Sequence, residues 1–181
     1  MAALGIMFGS YRSPALGTRA VAFIKRLGED VGLNPHIISA AELDIPFLRD
    51  PYHSLSPKPE ALEACRKLIF GCDRFVIVSG EYNHLPQPGL LNMMNFFYQE
   101  YTGKPAALVT YSVGEWGGIR AQAPLRTFAS ALGLIPMSSM LAIKTTTKTL
   151  SEAGEPLIDG LQKQGQTFMQ TFQDHCDKVV S

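Results

Sequence analysis

Strand-length apolar runs alternate with helix-length segments along almost the whole chain. The apolar runs are continuous and lie at 3–8, 35–40, 74–80, 105–112 and 135–143. Strands buried on both faces of a parallel sheet require such continuous runs. The segments with helical spacing lie at 15–31, 58–71, 88–101, 118–133 and about 156–179. Because strand and helix alternate and parallel crossovers are right-handed, this order predicts a three-layer α/β sheet with helices on both faces.

The length of the chain indicates how many domains to expect, and its net charge bears on which classes of partner to expect. A chain of 181 residues suits one domain with a sizeable core, so we expect a single domain over residues 1–181. Its 16 basic residues equal its 16 acidic residues, which gives no electrostatic reason to expect a nucleic acid or an anionic membrane as partner. The apolar start, MAALGIMF, is too short to span a bilayer and predicts the first strand.

The cysteines and histidines do not suggest a metal site or a disulfide framework. Cys65, Cys72 and Cys176 are odd in number and form no C-x-x-C pair. A reducing cytoplasm suits such thiols, so we expect a cytoplasmic protein with no bound metal. Three of the histidines have no mutual ligand spacing, and surface or packing roles are assigned to them: His36, His53 and His175.

The loop after the first strand, FGSYRSPALGTRAVAFI, has the composition of a phosphate cradle. In open parallel sheets ligands bind beyond the carboxyl ends of the strands. Pro14 is placed where a helix could begin, and a helix start offers unpaired N–H groups. The planar guanidinium of Arg12 has N–H donors that match phosphate oxygens in geometry, and hydroxyl donors come from Ser10, Ser13 and Thr18. The loop is neither G-x-G-x-x-G nor a P-loop. The alternative is an ordinary capped helix with a solvated arginine.

The loops after the third and fourth strands contain polar residues and glycines. They read SGEYNHLPQPGLLN and TYSVGEWGGIRAQ. Gly114, Gly117 and Gly118 permit tight turns and leave backbone N–H groups uncovered, so a flat ligand could approach the main chain. A planar heterocycle with several carbonyls and ring nitrogens would satisfy such donors and acceptors.

These motifs resemble those of the NAD(P)H-dependent FMN reductase family of flavodoxin-like flavoproteins. The resemblance rests on GSYR after the first strand, EYNHLPQPGLLN after the third and SVGEWGGIRA after the fourth, with LDIPFLRD at 43–50 in support. It covers roughly residues 3 to 143 in the right order. It implies a flavodoxin-like fold with a five-stranded parallel sheet of order 2-1-3-4-5. It also implies non-covalent FMN, NAD(P)H as co-substrate, and a homodimer or homotetramer with flavins near the subunit interface.

The resemblance also assigns cofactor-binding residues to the three loops. The phosphate would be held by two side chains and the amides of a helix start, namely Ser10, Arg12, Leu16, Gly17 and Thr18. One border of the isoalloxazine would be formed by Glu81, Tyr82, Asn83 and His84. Its other edge would be lined by Ser112, Val113, Gly114, Gly117 and Gly118.

This chain departs from the family pattern at several positions. Gly80 replaces the proline usual before the glutamate, and the serine and asparagine common in the phosphate loop are replaced near 15–17. The family's lysine and aspartate appear as Leu91 and Asn95. If those charges normally pair across subunits, an apolar interface could replace them through Met93, Met94, Phe96 and Phe97.

Three side chains near these loops have two interpretations each. His84 could supply or relay a proton beside a flavin, or it could merely hydrogen-bond the loop. Trp116 could stack on a ring or a partner subunit, or it could cover the glycine loop. Arg120 could bind an NADPH phosphate or a partner subunit, or it could be an ordinary solvated helix residue, and the second interpretation is slightly preferred.

The leading hypothesis is an FMN-dependent NAD(P)H oxidoreductase. In a ping-pong cycle the nicotinamide passes hydride to flavin N5 and leaves, and a small-molecule acceptor takes its place: a quinone, azo compound, metal oxyanion or free flavin. A non-enzymatic electron carrier is a second hypothesis, but such carriers are expected to be strongly acidic and this chain is neutral. A flavin-binding redox sensor is a third, because fold does not fix function.

Overall fold

The computed structural model describes residues 2–180 as alternating strands and helices. In chain order the main elements are β1 (Ala3–Phe8), α1 (Gly17–Asp30), β2 (Asn34–Ser39), α2 (Glu60–Phe70), β3 (Arg74–Tyr82), β4 (Leu85–Pro86), α3 (Pro88–Met94), β5 (Pro105–Ser112), α4 (Gln122–Ala131), β6 (Ile135–Lys144) and α5 (Leu161–Val180). Short 3-10 helices cover Tyr52–Ser54 and Ile119–Ala121.

The five long strands form one parallel sheet. Their order is β2-β1-β3-β5-β6, which confirms the predicted order 2-1-3-4-5 when the long strands are counted along the chain. The sequence did not predict β4, a two-residue strand that pairs antiparallel with the end of β3. The pairs Glu81 with Pro86 and Tyr82 with Leu85 make β3 and β4 a hairpin at the carboxyl edge of the sheet.

Alternate residues of each buried strand face two separate cores. In β3, Val76 and Val78 face a core shared with α1 and α5, whereas Phe75 and Ile77 face a core shared with α2, α3 and α4. In β5, Tyr111 points to the α1 and α5 side. The continuous apolar runs are therefore explained by a sheet that is covered on both faces.

Three predicted helix boundaries differ from those observed. The first helix begins at Gly17, so Pro14 lies in the preceding loop and not in the first helical turn. The third helix ends at Met94 and not near residue 101, and turns follow it. The last helix begins at Leu161, after Gly160 adopts a φ of 80° that a right-handed helix cannot include.

The prediction that four apolar residues at 93–97 could form a subunit interface is wrong. Their side chains are at most 3% exposed and belong to the core between the sheet and α2, α3 and α4; they are Met93, Met94, Phe96 and Phe97. Because they are already buried within the chain, they cannot replace charged contacts between subunits.

The histidines outside the loops make local contacts. His36 Nε2 lies 3.0 Å from Asn34 Nδ2, and His175 Nε2 lies 2.8 Å from the Ile135 carbonyl oxygen. Within residues 2–180 no group of three or more His, Cys, Asp or Glu side chains could hold a metal ion. None of the helices in that range has the length and hydropathy needed to cross a membrane.

Replacing Cys65 with alanine should reduce the loss of stability at alkaline pH. Cys65 is fully buried, and burial raises the pKa of its thiol from 9.0 to about 12. Between those values the unfolded chain binds fewer protons than the folded chain, so stability falls as pH rises, by up to about 1.4 kcal/mol per pH unit. Urea unfolding at pH 8 and pH 10.5 measures the difference. An equal pH dependence in the variant and the wild type would contradict the prediction.

Candidate functional site

A cavity of about 200 Å³ lies at the carboxyl edge of the sheet, where the loops after β1, β3 and β5 meet. Its lining comes from these three loops together with the turn before α3 and the segment after β6. The lining residues are Ser10, Arg12, Pro14, Ala15, Leu16, Gly17, Gly80, Glu81, Tyr82, Gln87, Tyr111, Ser112, Val113 and Thr145. The cavity therefore has the position at which open parallel sheets bind ligands.

The first loop supplies a cationic rim and a buried hydroxyl. Ser10 is 4% exposed, and its Oγ accepts a hydrogen bond of 3.3 Å from the Arg12 backbone N–H. The Arg12 guanidinium lies 5.5 Å from the centre of the Tyr82 ring. Within residues 2–180 no carboxylate lies within ion-pair distance of Arg12. The Arg12 guanidinium therefore has donors that no carboxylate of the described residues occupies.

The inner wall of the cavity is a buried pair, Tyr111 and Gln87. Gln87 Nε2 donates a hydrogen bond of 2.8 Å to Tyr111 Oη. Burial raises the pKa of Tyr111 to about 12, against smaller opposing effects of hydrogen bonds from Gln87 and Ser10. The Tyr111 hydroxyl is therefore protonated at neutral pH and can act as a donor.

Two glycines make room for this pair. A Cβ on Gly17 would lie 2.2 Å from Tyr111 Cζ and Oη, so the phenol fills the space in which a side chain at the start of α1 would lie. Gly80 pairs with Tyr111 across β3 and β5, and a Cβ there would lie 3.0 Å from Tyr111 Cζ and from Gln87 Nε2. Gly80, which stands where the family usually has a proline, thus accommodates the Tyr111 and Gln87 side chains.

The segment EYNH forms the hairpin between β3 and β4. Asn83 and His84 have φ values of 49° and 70°, as the two central residues of a type I′ turn require. Both side chains are exposed at the tip of the hairpin and neither lines the cavity. The polarity of this segment is therefore explained by the turn, and the predicted proton-donor role of His84 stays a prediction.

The glycine loop after β5 is held against neighbouring backbone. Gly117 and Gly118 have φ values of 57° and 81°, which L residues rarely adopt. A Cβ on Gly117 would lie 2.6 Å from the Ile143 backbone nitrogen. The Glu81 carboxylate accepts a hydrogen bond of 3.2 Å from the Arg120 N–H and so fixes the loop to β3. Trp116 in this loop is 68% exposed.

The structure brings eight of the fourteen predicted cofactor-binding residues to the cavity. They are Ser10, Arg12, Leu16, Gly17, Glu81, Tyr82, Ser112 and Val113. The other six lie outside its lining: Thr18, Asn83, His84, Gly114, Gly117 and Gly118. The Thr18 hydroxyl donates to the Ala15 carbonyl oxygen at 2.7 Å, which is a local helix-start contact.

Sequence reasoning missed three polar side chains in the lining, Gln87, Tyr111 and Thr145. Gln87 lies within the motif EYNHLPQPGLLN, in which the resemblance assigned a role only to the first four residues, and Thr145 follows the last strand outside all three motifs. Tyr111 carried a usable signal, because it is a polar aromatic residue at the end of a buried strand, one position before the predicted Ser112.

The lining fits a phosphate ester with a hydroxylated chain. It combines one cation, several hydroxyls, the N–H groups at the start of α1 and a buried amide whose Oε1 has no partner in the described structure. Its volume is below the roughly 300–1,000 Å³ of pockets that enclose a whole drug-sized ligand. The cavity therefore matches the ribityl phosphate of FMN, and a flavin ring would extend to its open rim.

The fold and this cavity define the chain as an α/β protein built to hold a phosphorylated cofactor. The family model "NADPH-dependent FMN reductase" matches residues 1–148, so the chain belongs to that family. This result confirms the predicted family, and with it FMN as cofactor and NAD(P)H as co-substrate of a flavin or quinone oxidoreductase.

Individual relatives agree with this assignment. The NAD(P)H-dependent FMN reductase ntnL of Nectria sp. is 27% identical over 69% of this chain and 66% of its own length. The NAD(P)H-dependent FMN reductase PA1204 of Pseudomonas aeruginosa is 29% identical over 86% of this chain and 84% of its own. A 2-hydroxy-1,4-benzoquinone reductase of Burkholderia sp. is 30% identical over 63% of this chain and 66% of its own.

A solved structure supports the fold over the full length of the chain. FerB, a flavoenzyme NAD(P)H:(acceptor) oxidoreductase from Paracoccus denitrificans, has a TM-score of 0.85 with 24% sequence identity and 99% coverage of both chains. Oxidised flavodoxin 1 from Bacillus cereus has a TM-score of 0.58 at 15% identity and 96% coverage of this chain and 99% of its own. The predicted flavodoxin-like fold class is thereby confirmed.

Proposed function

We propose that this protein is an NAD(P)H-dependent FMN oxidoreductase that works by a ping-pong cycle on small-molecule acceptors. The observation that carries the proposal is the cavity in which the phosphate loop meets the loops after β3 and β5. Quinones are the first acceptors to test, because a relative from Burkholderia sp. is named as a benzoquinone reductase. Azo compounds, metal oxyanions and free flavin are further candidates.

The residues of the chain bind and orient the cofactor. Arg12, Ser10 and the N–H groups at the start of α1 hold the phosphate, and the positive end of the helix dipole favours its charge. Tyr82, Ser112 and Val113 border the flavin at the open rim. Bound FMN supplies hydride transfer from NAD(P)H and onward reduction of the acceptor.

An exposed rim explains why one site could serve both the donor and several acceptors. Val113 is 64% exposed and Trp116 is 68% exposed. Planar molecules could contact such exposed apolar side chains by stacking and area burial. The nicotinamide and the acceptor would therefore bind in turn at the same place.

Anaerobic flavin spectroscopy tests the proposed function. Purified protein is mixed with FMN, and then NADH or NADPH is added, followed by a benzoquinone. We expect FMN to bind, its visible absorbance to bleach with the nicotinamide and return with the quinone. Absence of FMN binding would overturn the proposal, and binding without bleaching would instead favour an electron carrier or a sensor.

Replacing Arg12 with alanine should weaken FMN binding by about 10- to 100-fold. The loss corresponds to a charge-assisted hydrogen bond, about 1.5–3 kcal/mol. Fluorescence titration of FMN measures it, and riboflavin, which has no phosphate, serves as the control ligand. Arg120→Ala is a matched control, because Arg120 is exposed and does not line the cavity. If FMN affinity is unchanged in Arg12→Ala, Arg12 does not hold the phosphate.

We further propose a homodimer or homotetramer in which the flavins lie near the subunit interface. Four exposed apolar residues in the hairpin and in the segment after β5 support it. Leu85 is 56%, Val113 64%, Trp116 68% and Ile119 49% exposed. Light scattering of the purified protein gives the subunit number, and Trp116→Glu should lower that number. A monomeric wild type would contradict the proposal.

A cytoplasmic location is also proposed, in keeping with the three free, buried thiols.

A further inference from the structure

We propose that Tyr111 and Gln87 bind two parts of the ribityl phosphate of FMN. The Tyr111 O–H donates a hydrogen bond to the phosphate, and Gln87 Oε1 accepts one from a hydroxyl of the ribityl chain. This inference rests on the proposed function, since it concerns the same cavity. Gln87 lies within the motif EYNHLPQPGLLN and Tyr111 immediately precedes SVGEWGGIRA, but the resemblance assigns no role to either residue.

The position of Tyr111 relative to α1 assigns it to the phosphate. Its Oη lies 2.2 Å from the site of a Cβ on Gly17, the first residue of α1. The first turn of a helix is where unpaired N–H groups and the helix dipole favour an anion. A protonated phenol at that point adds a neutral donor, which suits a cavity whose lining contains only one basic residue, Arg12.

An unpaired buried atom assigns Gln87 to the ribityl chain. Gln87 is 2% exposed. Its Nε2 donates a hydrogen bond to Tyr111, and its Oε1 has no partner among the described residues. Leaving a buried amide oxygen unpaired costs free energy, whereas a ligand hydroxyl would satisfy it. A phosphate has no donor to offer at neutral pH, so the hydroxylated chain beside it is the matching group.

The pair is held in place before any ligand arrives. The Gln87 backbone N–H donates 3.0 Å to Ser79 Oγ, and Ser79 is fully buried. The Tyr111 ring packs against Phe8, with 6.3 Å between the ring centres, and its hydroxyl accepts the 2.8 Å hydrogen bond from Gln87 Nε2. Because both side chains are fixed, little conformational entropy is lost when they bind the cofactor.

Three flavins and two variants test the division of roles. FMN has the chain and the phosphate, riboflavin has only the chain, and lumiflavin has neither. Tyr111→Phe should weaken FMN about 10-fold and leave riboflavin nearly unchanged. Gln87→Leu should weaken FMN and riboflavin about equally, near 10-fold, with lumiflavin unchanged. Fluorescence titration measures all of these affinities.

The controls separate binding from folding. Tyr101→Phe changes another fully buried phenol, which lies outside the cavity and whose hydroxyl has no partner among residues 2–180. All three flavins should therefore bind this variant as they bind the wild type. Unchanged affinities in both site variants would overturn the inference, as would equal weakening of all three flavins, which indicates a general structural effect. If wild-type protein does not bind FMN, the proposed function itself fails, which is a distinguishable result.

Discussion

Gly17→Ala is expected to weaken FMN binding by about 100-fold, equivalent to ~2.8 kcal/mol, and to destabilise the fold by about 3 kcal/mol. The added Cβ would lie 2.2 Å from the Tyr111 phenol, which is enclosed by Phe8 and Gln87. Either the ring or the start of α1 must therefore move, and both belong to the proposed phosphate site. Urea unfolding and FMN titration measure the two effects.

A second-site variant shows whether Tyr111 causes this effect. In a Tyr111→Ala background the clash is absent, and alanine is a better helix residue than glycine by about 0.8–1.0 kcal/mol in a helix interior. Gly17→Ala should therefore be neutral or slightly stabilising in that background, a reversal of sign. A cost of about 3 kcal/mol in both backgrounds would show that Tyr111 is not the obstacle.

The order of the sheet was predictable because it depends on patterns that the sequence displays directly. Continuous apolar runs marked all five long strands, and the resemblance supplied their order. The ends of the helices were less predictable, because they depend on tertiary contacts. Residues 95–101 retain apolar spacing, for example, yet Phe96 and Phe97 are buried from turns and not from a continued helix.

The sequence predicted site residues only where the residue type by itself indicates the kind of group that it binds. An arginine and a serine in the first loop indicated an anion site without any knowledge of their neighbours. The partnership of Tyr111 with Gly17, Gly80 and Gln87 depends instead on four segments that are distant in sequence. For Asn83 and His84 a local signal existed, since an asparagine beginning a two-residue hairpin turn favours positive φ, and it would have explained their polarity as turn chemistry.

Gly117→Ala and Gly114→Ala, three residues apart in the glycine loop, are expected to differ sharply. Gly117 has a φ of 57°, which costs an L residue about 1–2 kcal/mol, and its Cβ would lie 2.6 Å from the Ile143 nitrogen and 2.8 Å from the Ala142 carbonyl carbon. Both obstacles are backbone atoms of β6, so rotation of a side chain cannot relieve them.

At Gly114 an added Cβ would meet only the Ser112 hydroxyl, at 3.5 Å, which is an ordinary contact. We therefore expect Gly117→Ala to lose about 3 kcal/mol or more of stability, a fall in Tm of roughly 6–12 °C for a chain of this size, while Gly114→Ala changes stability by less than about 0.5 kcal/mol. Thermal unfolding without flavin measures both.

Since the Glu81 carboxylate ties this loop to β3 through the Arg120 N–H, displacement of Gly117 should also disturb the rim formed by Ser112 and Val113. FMN binding should accordingly weaken in Gly117→Ala; similar stability in the two variants would mean that β6 yields to the added methyl group and that the loop is not fixed by close packing.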